Sequence, residues 1–160
     1  MRTLAIDLGA KRVGLALSDE GGRFATPLDV LTVSSPHQAL EQIVPVIEKE
    51  GVERVVVGLP LNMDDSLGRQ AQSALAWGRQ LADRSGKPVL FVDERLSSFA
   101  AEETLTQRKR AGERLTRERK RRQLDAVAAA TFLQQFLDGK LQAMSEAKVM
   151  DQPTSRGRAR

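Results

Sequence analysis

Residues 5–19 read AIDLGAKRVGLALSD, and this stretch decides the fold of the chain. Apolar residues alternate along 2–8 and recur along 13–18, so the sequence predicts two antiparallel strands joined by a tight turn at Gly9–Lys11. Asp7 ends the first strand. An ionised carboxylate in apolar surroundings costs several kcal/mol unless a cation or hydrogen bonds compensate it. The stretch therefore predicts that the carboxylate at the end of this strand has a functional role.

The remainder of the chain alternates between helix and strand patterns. Further strands are predicted at 28–33, 54–58 and 88–92, and helices at 36–50, 67–85 and 116–137. The predicted fold class is α/β: a mixed five-stranded sheet with a three-stranded antiparallel meander, two parallel strands and helices on both faces. We expect one domain over residues 1–140 and a polar, disordered C-terminal tail over residues 141–160.

Two further acidic signals stand in apolar surroundings, Asp93-Glu94 in FVDER and Asp125 in LDAVAAA. Ligands gather at the carboxyl ends of strands in such sheets, and an alanine-rich helix can approach a sheet closely. We therefore expect these acids to meet Asp7 around a divalent cation, and oxygen ligands favour Mg²⁺ or Mn²⁺. Strand alternation leaves open whether Asp93 or Glu94 faces the cation. Taken singly, each acid also fits a turn, a cap or an ion pair.

Composition excludes several classes of protein. The chain is 41% hydrophobic and 29% charged, contains no cysteine and has one histidine. No apolar run approaches the ~20 residues of a membrane span, and no secretory signal is apparent. A disulfide framework and a thiolate metal site are excluded by the absence of cysteine. We expect a cytoplasmic protein without a membrane partner.

Positive charge is concentrated in residues 107–122, which contain nine basic and two acidic residues. Such a cluster is typical of a protein that binds a polyanion, although a solvated, arginine-rich helix connection fits equally well. Aromatic residues are scarce, which favours contact with nucleic-acid phosphates over base stacking. The predicted substrate-binding residues, some of which also fit an exposed hairpin tip or a helix cap, are Lys11, Arg12, Asn62, Arg69, Arg95, Arg108, Lys109 and Arg110.

Four ordered motifs carry a resemblance to a known family: AIDLGAKRVGLALSD at 5–19, VVGLPLNMDDSLG at 56–68, DERLSS at 93–98 and LDAVAAATFLQ at 124–134. Over about residues 1–138 the chain resembles the YqgF family of RNase H-like nucleases, also called Holliday-junction-resolvase-like or pre-16S rRNA nucleases. One departure is Asp65, where the family usually has glycine. The predicted tail, residues 141–160, shows no resemblance to the family.

The resemblance implies an RNase H-like fold and metal-assisted hydrolysis of phosphodiester bonds. Carried over to this sequence, the catalytic and metal-binding acids are Asp7, Glu94 and Asp125. The implied substrate is the 5′ end of pre-16S rRNA, with branched DNA, cut as by a Holliday junction resolvase, as the alternative. Symmetric cutting of a junction needs two active sites and therefore a homodimer. RNA processing has no such requirement, so the chain is expected to act as a monomer or a homodimer.

Two other classes of function compete with a nuclease. A catalytically idle nucleic-acid-binding factor would use the basic cluster without the acids. An actin-like ATPase or phosphotransferase also uses an Asp-x-Gly turn to hold phosphates, but it closes a cleft between two domains. A single domain of about 140 residues leaves no room for that second domain.

Overall fold

A computed structural model of the protein describes residues 1–61, 64, 66–93, 117–145 and 149, with the backbone alone described over 117–123. The strands are β1 (Thr3–Leu8), β2 (Arg12–Ser18), β3 (Ala25–Thr32), β4 (Arg54–Leu59) and β5 (Val89–Asp93). The helices are α1 (Pro36–Lys49), α2 (Arg69–Ser85) and α3 (Arg117–Leu137). The predicted elements are confirmed, and most of their ends shift by only one or two residues.

The five strands form one mixed sheet in the order β3-β2-β1-β4-β5. β1, β2 and β3 pair antiparallel, whereas β4 and β5 run parallel to β1. The predicted antiparallel meander with two parallel strands is therefore confirmed. Because β1, β4 and β5 are parallel, their carboxyl ends lie at one edge of the sheet.

The third strand begins three residues earlier than the sequence pattern predicted. Its register against β2 shifts between Leu15 and Ala16, which face Asp29 and Pro27 respectively, so that Leu28 is an extra residue. This bulge interrupts the alternation of side chains that predicts a strand. Proline is tolerated because β3 is the last strand on this side of the sheet.

Strand alternation divides the core into two layers. Leu4 and Ile6 of β1 belong to the larger apolar cluster, which also contains the buried residues of α1 and α2. Ala5 of β1 lies in a second cluster with Ala129 and Phe132 of α3. One face of the sheet is thus covered by α1 and α2 and the other by α3.

The first turn of α1 is hydrogen-bonded to α2 on the face of the sheet that these two helices cover. Ser35 is the N-cap, and its side chain accepts a hydrogen bond from the backbone N–H of Gln38 at 3.1 Å. Pro36 follows at the first turn, where its missing N–H costs nothing. Trp77 of α2 donates from Nε1 to the Pro36 carbonyl oxygen at 2.9 Å. Trp77 is itself buried.

The chain that follows α3 also packs on the sheet. Gly139 takes a positive φ of 75°, and Leu141 is buried in the cluster beneath α3. Met144 exchanges two backbone hydrogen bonds with Phe91 of β5, at 2.7 and 2.8 Å. Leu141 and Met144 therefore contact the sheet just beyond the predicted boundary at residue 140. Within the described part of the chain, no helix combines the length and hydropathy needed to cross a bilayer.

Candidate active site

Asp7 lies at the carboxyl end of β1, on the face of the sheet that α3 covers. It is two residues after Ala5, which contacts α3, so alternation places both side chains on that face. In the β1–β2 ladder the residue directly opposite Asp7 is Gly14. Asp7 is partly exposed, and it takes part in at least one interaction with the surrounding protein.

Gly14 brings α3 against this end of the sheet. A Cβ atom built on Gly14 would overlap the carbonyl oxygen of Asp125 and would lie 2.9 Å from the backbone nitrogen of Ala126. Only glycine allows two backbones to approach this closely. Because Asp7 and Asp125 both adjoin Gly14, the structure brings together two of the acids that the sequence predicted to meet.

The Asp125 side chain is paired with Arg12, the first residue of β2. Asp125 Oδ2 lies 2.9 Å from Arg12 Nε, and the two side chains are 25% and 35% exposed. Oδ2 is itself buried, and the Arg12 N–H is not directed well enough for the contact to count as a regular hydrogen bond. The contact between Arg12 and Asp125 is therefore an ion pair. Burial raises the pKa of the Asp125 carboxyl, and the charge of Arg12 opposes that rise.

Asp93 is separated from this pair by the sheet. It ends β5 opposite Leu59, at the same edge as Asp7, but Leu59 is buried in the cluster beneath α1 and α2. Its neighbour Val92 contacts the α3 layer instead. Alternation therefore places Asp93 on the face away from Asp7, a point that sequence alternation alone left open.

The predicted substrate-binding residues are described only in part. Lys11 is exposed in the β1–β2 turn, where its carbonyl oxygen accepts the Val33 N–H at 2.8 Å. Arg69 is exposed as the first residue of α2. The remaining predicted residues lie outside the described residues: Glu94 among the acids, and Asn62, Arg95, Arg108, Lys109 and Arg110 among the substrate contacts.

The start of α2 differs from its prediction. The N-cap is Gly68, and no side chain caps the helix. Ser66 is buried ahead of the helix, and its backbone N–H donates to Asp64 Oδ1 at 3.0 Å. Its burial fits a packing role in the loop. The α2 helix covers the sheet face opposite to Asp7.

Gly14 is a residue of the site that was not predicted from the sequence. The signal was present, since a glycine inside the strand pattern RVGLALS often marks a place where another backbone approaches closely. The apolar pattern places Gly14 inside the predicted strand at 13–18. The element that approaches it could not be identified before the helix was placed.

The two carboxylates fit a hard divalent cation in their chemistry. Both supply oxygen, and both side chains are partly exposed at the end of the sheet where β1 ends. In the described part of the chain, no three acidic, histidine or cysteine side chains form a metal-binding group. Asp7 and Asp125 are thus two ligands of a candidate centre, whose third predicted ligand, Glu94, lies outside the described residues.

Comparison with known proteins agrees with this arrangement. The family model described as "RuvX: Holliday junction resolvase" matches residues 1–139. The chain belongs to the RuvX family. This is the YqgF family whose motifs the sequence resembles.

Relatives of this RuvX chain are similar along most of their length. A protein of Pelotomaculum thermopropionicum is 40% identical over 148 residues, which cover 92% of this chain and 93% of the relative. One of Anaeromyxobacter sp. is 43% identical over 140 residues, covering 88% and 98%. Both are named "Putative pre-16S rRNA nuclease".

Solved structures show the fold of the RuvX chain independently of sequence. Thermus thermophilus RuvC matches with a TM-score of 0.57 at 19% identity, covering 90% of this chain and all of that one. Fowlpox virus resolvase, solved with Holliday junction DNA, matches with a TM-score of 0.53 at 10% identity, covering 87% and 98%. The predicted RNase H-like fold is confirmed.

Proposed function

We propose that this RuvX protein is a divalent-metal-dependent nuclease that processes the 5′ end of pre-16S rRNA. The single observation that carries the proposal is the meeting of Asp7 and Asp125 beside Gly14, from a strand and a helix at opposite ends of the chain. The names of relatives at about 40% identity support the choice of substrate.

Asp7 and Asp125, with Glu94 as the third carboxylate, would hold Mg²⁺ or Mn²⁺. When bound, such an ion supplies water activation and charge stabilisation at the departing oxygen. The position of Asp93 on the other face of the sheet supports Glu94 as the member of the acidic pair that belongs to the site. The fixed backbone contact at Gly14 holds Asp125 at a constant distance from the sheet, which favours a preorganised site.

The first turns of α3 provide a path for the substrate. Residues 117–122 lie on the helix that carries Asp125, and five of these six residues are basic. At about 1.5 Å per residue, all of them fall within about 12 Å of Asp125 along the helix axis. A phosphate backbone bound along this part of α3 would lead directly to the acids. Lys11, Arg69 and the predicted residues 62, 95 and 108–110 complete the proposed contacts.

Branched DNA is the second candidate substrate. The description of the family model favours it, and two structural neighbours that share the fold, RuvC and Fowlpox virus resolvase, were solved in complex with a Holliday junction. Cutting a junction symmetrically would require two copies of the site, and therefore a homodimer on the junction. Processing of an RNA end is compatible with a monomer. In either case we expect the protein to act in the cytoplasm.

The proposal is tested by comparing wild type with Asp7→Asn and Asp125→Asn in cleavage assays with Mg²⁺ or Mn²⁺. The substrates are RNA carrying the pre-16S 5′ end, unstructured single strands and four-way DNA junctions. Asp29→Asn is the matched control, because it removes an exposed carboxylate on β3. Loss of about 10³-fold in rate is expected for both site variants, since a metal contributes several kcal/mol to transition-state stabilisation.

The outcomes separate the three candidate functions. Cleavage of the RNA end that is lost in both site variants and kept in Asp29→Asn supports the proposal. Preferential cutting of junctions would replace the substrate by branched DNA. Binding of nucleic acid without cleavage by wild type would identify a non-catalytic binding factor instead.

A further inference from the structure

The Arg12–Asp125 ion pair divides the two oxygens of one carboxylate between different surroundings. Oδ2 is buried and lies 2.9 Å from Arg12 Nε. A quarter of the Asp125 side chain is nevertheless exposed, and that exposure belongs to its other atoms. Among these atoms only Oδ1 can bind a cation. The ion pair therefore leaves Oδ1 accessible to a cation and keeps Oδ2 buried beside Arg12.

Arg12 is held firmly enough to impose this orientation. Its carbonyl oxygen accepts the Gly9 N–H at 3.0 Å, which closes the turn between β1 and β2. On its other side it pairs with Thr32 of β3. The backbone of Asp125 is fixed just as closely by its contact with Gly14. Both ends of the ion pair thus start from anchored backbone, so the side-chain contact restricts rotation of the carboxylate.

We propose that Arg12 is a positioning residue of the metal centre: it holds Asp125 Oδ2 so that Oδ1 is the oxygen presented to the divalent cation. This inference rests on the proposed function, because it assumes that Asp125 is a metal ligand. It assigns Arg12 a role different from the phosphate contact that the sequence suggested. Groups that orient ligating carboxylates in this way tune metal affinity without touching the metal.

The direction in which the cation affinity changes when Arg12 is replaced distinguishes positioning from a purely electrostatic effect. Removing a positive charge beside a cation site should strengthen cation binding if Arg12 acts only by repulsion or by competing for Asp125. If Arg12 positions the carboxylate, its removal should weaken binding, by about 10–100-fold. The experiment therefore measures Mn²⁺ affinity by electron paramagnetic resonance or calorimetry, without any substrate.

The variants are Arg12→Gln, Lys11→Gln, Asp125→Asn and the double variant Arg12→Gln with Asp125→Asn. Lys11→Gln is the matched control, because it removes the same charge from the next residue, which is exposed in the turn. We expect Arg12→Gln to weaken Mn²⁺ binding and Lys11→Gln to leave it unchanged or slightly stronger. In the Asp125→Asn background, Arg12→Gln should have no further effect, which separates positioning from general damage to the fold.

Tighter or unchanged Mn²⁺ binding in Arg12→Gln overturns the inference, as does an equal loss in Lys11→Gln or an additive loss in the double variant. These results leave the proposed function standing if Asp7→Asn and Asp125→Asn each still weaken Mn²⁺ binding measurably. Wild-type protein that binds no Mn²⁺ would overturn the proposed function together with this inference. A second readout is nucleic-acid affinity without divalent metal, where Arg12→Gln should keep the wild-type salt dependence.

Discussion

Gly14 and Asp125 are in direct backbone contact, and this contact brings α3 to the end of β1 that carries Asp7. A side chain at position 14 would overlap the Asp125 carbonyl oxygen. Gly14 also lies directly opposite Asp7 in the β1–β2 ladder. One glycine therefore sets the separation between the two acids, although it carries no functional group.

Gly14→Ala should damage both the fold and the site. Because the added methyl would meet backbone atoms that cannot rotate away, we expect a loss of about 1–3 kcal/mol in the free energy of unfolding. A displacement of Asp125 by about 1 Å should lower kcat/KM about 10²-fold. Urea denaturation and cleavage kinetics measure the two effects. Gly21→Ala is the control, since its methyl would meet only the Asp19 side chain, at 3.3 Å; equal behaviour of both variants would contradict the prediction.

Basic residues at the start of α3 should contribute to binding through phosphate contacts. For a single-stranded RNA, Arg121→Gln should reduce the slope of log affinity against log salt by about 0.7, because one fewer counterion site is neutralised. Fluorescence anisotropy over a range of salt concentrations measures the slope. Arg84→Gln is the control, because Arg84 is an exposed residue in the last turn of α2. An unchanged slope in Arg121→Gln would show that this position does not contact phosphate.

Asp19 should stabilise the turn between β2 and β3 in a pH-dependent way. Its Oδ1 accepts the backbone N–H groups of Phe24 and Arg23 at 3.0 and 2.8 Å, and these hydrogen bonds lower the pKa of the Asp19 carboxyl. A lowered folded-state pKa means that this stabilisation is present above the ordinary value of 3.8 and is lost as the pH falls through the folded value.

The test of the Asp19 prediction is a set of melting curves for wild type and Asp19→Asn from neutral to strongly acidic pH. We expect Asp19→Asn to melt earlier at neutral pH and the difference to shrink in acid. Glu20→Gln is the control, because the Glu20 side chain contacts Arg2 at 3.9 Å on the surface, where such a pair contributes little. A difference that is constant over the whole pH range would mean that the carboxylate charge is not responsible.

The segment after α3 should stabilise the free side of β5. A chain ending at residue 140 loses the buried Leu141 and both hydrogen bonds between Met144 and Phe91. Loss of one buried leucine alone costs about 1.5–3 kcal/mol, and the uncovered strand edge should favour self-association. Denaturation and size-exclusion chromatography measure these effects. A chain ending at residue 150 is the control, and equal stability of the two chains would contradict this prediction and support a domain boundary at 140.

Much of the fold could be predicted because its signals are local. The alternation in β1 and β2, the Ser35-Pro36 start of α1 and the glycine after α2 each depend on neighbouring residues alone. Errors arose where a distant partner decides the outcome. The start of β3, for example, was displaced by a bulge that depends on the pairing of this strand with β2.

By itself the sequence determined the class of fold and the family and singled out the candidate acids, because apolar periodicity and short motifs are properties of the chain. Only the tertiary structure decided which of these groups meet. Asp7 and Asp125 converge because a glycine on β2 admits the backbone of α3, and Arg12 faces Asp125 because the same approach brings them within 2.9 Å. Asp93 is set apart from them by the sheet itself. These relationships depend on how layers pack, which no local pattern of residues encodes.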